Sequence, residues 1–164
     1  MILIAPSHSH SLYRQGLMGL AALLALLSPI TLQATQADMP GVESPVRARE
    51  NYILKCQGCH TYNARGSPGG APAMNGVLAT FLRVPGGREY LGQVPGVSTA
   101  ALDDKQLAEL LNWTLYAFDR ENVPASFTPY TAEELNRLRQ HPLRMETTSI
   151  RAKLQKNIKL NRGD

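Results

Sequence analysis

Both cysteines of the 164-residue chain lie in one run, Cys56-Gln57-Gly58-Cys59-His60. Two residues three apart on a helical turn project from the same face. Thiols in this arrangement can add to the two vinyl groups of a haem, and the imidazole that follows the second thiol can ligate the iron. The run therefore predicts one covalently attached haem c, held through Cys56 and Cys59, with His60 as an axial ligand.

Three other interpretations of a C-x-x-C pair are open, and each leaves His60 unexplained. A dithiol redox centre is expected in a βαβ context, which this sequence does not show. A zinc site needs a second Cys/His pair, but beyond the N-terminal segment the only other histidine is His141. A disulfide between Cys56 and Cys59 would close a very short loop and stabilise the fold little. Haem attachment uses all three side chains.

The first 37 residues have the pattern of an export signal. Arg14 is their only charged side chain, and a 12-residue apolar run follows from Gly16 to Leu27, ahead of small residues that end at Ala37. This order is typical of a secretory signal peptide. A retained membrane anchor is the alternative, although about 20 apolar residues are needed to span a bilayer. We predict cleavage near Ala37 and a periplasmic or otherwise exported mature protein.

Charge is unevenly distributed over the rest of the chain. Residues 38–136 carry eight basic and eleven acidic side chains, a net charge of −3, whereas residues 137–164 carry eight basic and two acidic ones, a net charge of +6. No aromatic platform accompanies the basic residues, so the pattern does not favour nucleic-acid binding. An acidic body with a basic tail is typical of docking to a charged partner.

Capping residues and apolar spacing predict two long helices. Ser44 is an N-cap with Pro45 in the first helical position, which predicts a helix from about Val46 to Cys59 that unwinds near Gly58. A second helix is predicted from Leu102 to Phe118, because its apolar residues recur at helical spacing: Leu107, Leu110, Leu111, Leu115 and Phe118. Short helices over 77–82 and 88–91 and turns at 86–87 and 94–97 are predicted between them, without a strand pattern of useful length.

The residues after Phe118 predict a helical extension. A loop to Pro129 precedes Thr131-Ala132-Glu133-Glu134, a capping box that opens a helix to about Gln140. In the tail, residues 148–164, apolar side chains recur four apart at Ile150, Leu154 and Ile158, with Arg151, Lys153, Lys156 and Lys159 on the other sides. Such a basic amphipathic segment is typical of a solvated helix, and contact with a partner or an anionic membrane surface is the alternative.

The segment Pro72-Ala73-Met74-Asn75-Gly76 begins twelve residues beyond His60. It resembles the P-x-L-x-G element that class I monohaem cytochromes c carry at this distance from their haem motif. The resemblance implies an all-α, cytochrome c-like fold, in which the Pro72 carbonyl accepts a hydrogen bond from Nδ1 of His60 and Met74 packs on the haem. An axial imidazole needs such an acceptor to orient it and to make it more basic.

The resemblance covers roughly residues 44–118 and implies a domain order. We expect a signal peptide over 1–37, a linker over 38–45, a haem domain over 46–118 and a C-terminal extension over 119–164. In this family the first and last helices of the haem domain cross at an aromatic contact. Tyr52 against Trp113 or Tyr116 is the predicted contact here.

The sixth iron ligand is the point at which the sequence departs from the family. Electron-carrying members usually supply a methionine from the loop before the last helix, but residues 77–102 contain neither methionine nor histidine. Met74, His141 and Met145 are the candidates that remain, followed by Met39 and Lys105. Met74 lies in register with a residue of the His60 side, which favours haem packing over ligation.

The resemblance implies an electron carrier and not an enzyme. We expect one-electron transfer between a dehydrogenase-type donor and a respiratory oxidase or reductase. One alternative is a haem protein with an open sixth iron position that binds gas ligands or reacts with peroxide, although peroxide chemistry would need a distal base that the sequence does not show. The other is a small haem subunit docked on a larger oxidoreductase through residues 119–164.

Overall fold

The computed structural model describes residues 38–162, and the predicted signal peptide lies outside this range. Over the described residues the chain is helical and contains no strand, which confirms the predicted all-α fold. Seven α-helices are present in that range: α1 Pro45–Lys55, α2 Gln57–His60, α3 Gly87–Gln93, α4 Pro95–Ser98, α5 Asp104–Asp119, α6 Ala132–Arg139 and α7 Thr147–Arg162. Two 3-10 turns, Leu78–Arg83 and Arg120–Asn122, lie between them.

The helix predicted to run to Cys59 is two helices, α1 and α2. The start is as predicted: the Ser44 hydroxyl accepts from the Arg47 amide at 3.3 Å, and Pro45 is the first helical residue. The break falls at Cys56, with φ −123° and ψ −38°, and not near Gly58. The Cys56 amide still donates to the Tyr52 carbonyl, while the amides of Cys59 and His60 both donate to the Cys56 carbonyl. The haem motif therefore has a helical turn of its own.

α1 packs across α5 through an aromatic cluster. The ring of Tyr52 lies 5.6 Å from that of Trp113 and 4.8 Å from that of Phe118, measured between centroids. Of the two predicted partners, Trp113 is therefore confirmed, whereas Tyr116 contacts Phe127 at 6.3 Å instead. Phe118 takes the second place, and its ring also contacts that of Trp113, with the centroids 5.5 Å apart.

A buried carboxylate fixes α1 to α5. Glu109 is only 4 % exposed, and it accepts from both Nε and Nη2 of Arg47, at 2.8 and 2.9 Å, and from the Ser44 amide at 2.7 Å. A buried carboxylate is stable only when it is paired and hydrogen-bonded in this way. The bidentate contact therefore sets the position of the first turn of α1 against α5.

α5 begins two residues later than predicted, at Asp104, because the Asp103 carboxylate caps it by accepting from the Gln106 amide at 2.8 Å. Residues 94–97, predicted as a turn, contribute to the short helix α4 that starts at Pro95.

The segment predicted as a linker lies against the fold. Asn112 donates to the Gly41 carbonyl at 3.2 Å, and Arg120 donates to the Asp38 carbonyl at 3.0 Å. Met39 packs on the cluster that joins α1 and α5. Residues 38–44 are therefore held by α5 and by the turn that follows it.

The residues predicted as an extension pack into the same core as residues 46–118. The Thr131 hydroxyl accepts from the Glu134 amide, as the capping box predicts, and Leu135 of α6 is fully buried. α7 packs on the 3-10 turn Leu78–Arg83 and on α3. Leu154 and Ile158 are buried in the cluster that contains α5 residues, and Ile150 packs at its edge. The apolar face of the amphipathic tail is therefore covered by the chain itself.

None of the helices within residues 38–162 is long and apolar enough to cross a membrane.

We predict that Leu154→Ala lowers the free energy of unfolding by about 2–5 kcal/mol, because it removes buried apolar surface and leaves a cavity. Leu160→Ala is the matched control on the same helix: Leu160 is 65 % exposed, so its truncation should cost less than about 0.5 kcal/mol. Guanidinium denaturation of the mature protein measures both. Equal effects of the two variants would show that α7 is not packed in solution.

Candidate haem site

The side chains of the C-x-x-C-H motif lie at the edge of a cavity of about 350 Å³. Cys56 and His60 are half-buried, Cys59 is exposed, and both thiols are free. Because α2 is a helix, the two thiols are presented on one side of the cavity together with the imidazole.

The other walls of the cavity are mainly apolar. They come from the Pro72 loop, the 3-10 turn, α3, α4 and α5, and include Met74, Leu78, Phe81, Tyr90, Leu91, Val94, Val97, Leu107, Leu110 and Leu111. The few polar side chains at the lining are Lys55, Thr114, Thr147 and Arg151. An apolar cleft with a few polar groups is typical of a cofactor site.

The loop after α2 returns to the imidazole. Nδ1 of His60 lies 3.0 Å from the Pro72 carbonyl oxygen, the contact that the resemblance implied. A carbonyl only accepts, so this contact places the proton on Nδ1 and leaves Nε2 with a free lone pair that a metal could bind. The geometry thus meets the requirement that an axial imidazole be oriented by an acceptor behind it.

Backbone hydrogen bonds set the shape of this loop. The Ala64 carbonyl accepts from the amides of Met74 and Asn75 at 2.8 and 3.1 Å, and the Gly66 amide donates to the His60 carbonyl at 3.0 Å. Gly66 has φ +70°, and a Cβ there would collide with the Ala71 carbonyl, so the turn requires glycine. These contacts bring Pro72 back to His60 across twelve residues.

The surroundings favour neutral side chains at the site. Burial lowers the pKa of His60, the Pro72 carbonyl opposes that shift, and the positive charge of Arg151 adds to it. Burial also raises the pKa of Cys56 to about 11, and the neighbouring Cys59 contributes to the same shift. A neutral imidazole is the form that ligates a metal.

The phenol of Tyr52 holds the end of α2. Its hydroxyl donates to the Thr61 carbonyl at 2.7 Å, directly after His60, and burial raises its pKa to about 12. Because the same ring packs on Trp113 and Phe118, the aromatic cluster also positions the imidazole.

The candidate sixth ligands lie in different places. Met74 is half-buried and lines the cavity two residues after Pro72, whereas neither His141 nor Met145 lines it, and Met145 is 95 % exposed. Lys105 pairs with Glu43 at 3.0 Å on the surface. Of the candidates named from the sequence, the structure brings only Met74 together with the haem motif.

Two cavity residues, Thr147 and Arg151, were missed by sequence reasoning. They belong to α7, whose amphipathic pattern shows an apolar face but does not indicate which part of the fold covers it. Nothing in the sequence links residue 151 to a motif 90 residues earlier.

The residues fit a haem: two free thiols and a neutral, oriented imidazole lie on one side of an apolar cavity. The fold and site thus define a small all-α protein of the kind that holds haem covalently. Two cytochromes c-552 of Thermus thermophilus are each 36% identical to this chain over 107 residues. The alignments cover 54% of this chain and 82% and 72% of those proteins.

The chain belongs to the class I c-type cytochromes, as the resemblance predicted. No family model matches the sequence, and no solved structure matches the chain. Cytochromes of this family are electron carriers that bind haem c covalently.

Proposed function

We propose that this cytochrome carries single electrons through one haem c attached to Cys56 and Cys59, with His60 as an axial ligand. The observation that supports it most is the 3.0 Å contact between His60 Nδ1 and the Pro72 carbonyl, at the cavity edge where both thiols lie. The haem, when bound, supplies a metal that gains and loses one electron.

The chain's own residues would position the haem and tune it. The Pro72 carbonyl holds the imidazole in one tautomer and increases its basicity. The aliphatic and aromatic walls exclude water. The low dielectric that results would disfavour the more highly charged, oxidised iron and so raise the reduction potential. The side of the site at Cys59 remains exposed, and this is where a redox partner could approach closely.

We expect matured protein to keep its pigment in acidified acetone, because thioether bonds survive denaturation. Cys56→Ala and Cys59→Ala should each retain haem through the remaining bond, and the double variant should lose it into the solvent. Haem staining after denaturing electrophoresis measures all four proteins. A wild-type protein that is colourless, or that releases its pigment, contradicts covalent attachment.

A second candidate function is binding of a small neutral ligand at an open sixth iron position. Met74 adjoins Pro72, on the His60 side of the cavity, and the lining contributed by α3 and α4 consists mainly of aliphatic side chains such as Leu91, Val94 and Val97. An apolar wall of this kind favours an uncharged diatomic molecule over peroxide, which needs a polar group to help break its bond.

For this second candidate we expect carbon monoxide to shift the absorption bands of the reduced protein, and Met74→Leu to leave the shift unchanged. If Met74 closes the sixth position, only Met74→Leu should bind carbon monoxide readily. Met145→Leu, an exposed change, is the control and should match wild type. If carbon monoxide leaves the absorption bands of the reduced protein unchanged in both wild type and Met74→Leu, the sixth iron position is not open.

We also propose that the protein is exported and exchanges electrons with a dehydrogenase-type donor and an oxidase or reductase, or docks on a larger oxidoreductase. The net charge of +6 over residues 137–164 favours an acidic docking surface on the partner. Lys153, Lys156 and Lys159 are exposed on α7 and would make this contact, while the apolar face of the helix stays buried.

We predict that reduction by an acidic donor protein slows as salt rises, since exposed charges are screened within about 10 Å at 0.1 M salt. Combined Lys153→Glu, Lys156→Glu and Lys159→Glu changes should slow reduction at low salt and flatten the salt dependence. For an equal change in net charge, Lys156→Glu alone is compared with Arg49→Glu, an exposed change on α1. Stopped-flow rates that do not distinguish Lys156→Glu from Arg49→Glu would exclude the tail as a docking site.

A further inference from the structure

The C-terminal helix α7 forms part of the wall of the haem cavity. Thr147 and Arg151, four residues apart and so on one face, both line it. Further along the helix, Leu154 and Ile158 are buried in the core, which fixes how α7 lies on the protein. Arg151 is therefore positioned at the cavity by buried contacts and is not a freely moving surface side chain.

Arg151 is a cation in apolar surroundings. Its guanidinium carbon lies 5.1 Å from the centroid of the Phe81 ring, and within residues 38–162 it forms no ion pair. A guanidinium has five donors and is best satisfied by a carboxylate, which it can bind through two parallel hydrogen bonds. The Phe81 ring stabilises the cation through a cation–π contact, but it offers no oxygen acceptor for the guanidinium donors.

Arg151 and the two thiols belong to different walls of the cavity, and a haem carries carboxylates as well as vinyl groups. The two carboxylates of a haem lie on the ring edge opposite to its two vinyl groups. The thiols that would bind the vinyl groups belong to the α1–α2 wall, whereas Arg151 belongs to α7, which packs on α3 and the 3-10 turn Leu78–Arg83. Lys55, the other cation of the lining, directly precedes Cys56 and so lies on the thiol side.

We propose that Arg151 binds a haem carboxylate, so that the C-terminal extension completes the cofactor site. This inference rests on the proposed function, since it requires a haem joined to Cys56 and Cys59. Thr147 is not a second donor, because its hydroxyl already donates to the Arg144 carbonyl at 2.8 Å. Arg151 is a cofactor-binding residue in this account, and it takes no part in ligating the iron.

The test compares Arg151→Gln with Lys153→Gln in matured protein. Both changes remove one positive charge from α7, but Lys153 is exposed and does not line the cavity. We expect Arg151→Gln to lower the midpoint potential clearly more than Lys153→Gln does, because a positive charge beside the haem disfavours the oxidised iron. Potentiometric titration followed by absorption measures this shift.

The pH dependence of the potential separates binding from a structural role. Arg151 keeps the pKa of a bound carboxylate low, so Arg151→Gln should raise that pKa and make the potential fall as pH rises through it. Arg151→Lys keeps the charge and should restore most of the wild-type profile. The other titratable groups that line the cavity, Lys55, His60 and Tyr90, are the same in all variants, and Cys56 and Cys59 no longer titrate once they are joined to haem.

The outcomes distinguish a failure of this inference from a failure of the proposed function on which it rests. A wild type without covalent haem overturns both. If haem is attached but Arg151→Gln matches Lys153→Gln in potential and in pH profile, the inference on Arg151 alone is wrong. If Arg151→Gln does not mature, Arg151→Lys is measured against Lys153→Gln. A potential and a pH profile close to those of wild type are the expected result, and a potential that falls with rising pH in Arg151→Lys but not in Lys153→Gln overturns the inference.

Discussion

The hydrogen bond between His60 and the Pro72 carbonyl is the contact on which the arrangement of the site depends. It joins two parts of the chain that are twelve residues apart. The shape of the intervening loop allows this contact, because Gly66 adopts the tight turn and the Ala64 carbonyl accepts hydrogen bonds from two amides. The remaining structure supports its two ends. Tyr52 holds the residue after His60, and the aromatic cluster with α5 holds Tyr52. The loss of any of these contacts would remove one constraint on the direction of the imidazole.

Much of this site could be predicted from the sequence, because its determinants are local. A five-residue motif, a proline at a fixed spacing and a capping serine identify the thiols, the imidazole, its acceptor and the start of α1. The break at Cys56 and the role of Phe118 could not be predicted, since helical periodicity gives the face of a side chain but not the point at which a helix changes direction. The position at which α7 packs on the fold also could not be predicted from the sequence. Its apolar spacing is the same whether the helix covers the core, meets a partner or is solvated.

The two sides of the site differ in how they are closed. Short-range contacts along α1 and α2 hold the thiol side, where Cys59 is exposed. The other walls depend on residues much later in the chain, including those of α5 and α7. Their stability therefore requires the whole helical fold, and this is why the extension belongs to the same core as the domain that it follows. Polar residues such as Glu109 and Arg47 secure the crossing of α1 and α5 without introducing charge into the cavity.

The burial of Cys56 has a consequence for the order of events in maturation. Burial raises the pKa of the Cys56 thiol to about 11, so the folded state disfavours its thiolate at neutral pH. The thiolate is the reactive form, so the folded polypeptide is a poor acceptor for a vinyl group at this position. On the proposed attachment, the Cys56 thiol would therefore react more readily with a vinyl group before the N-terminal helices pack around it.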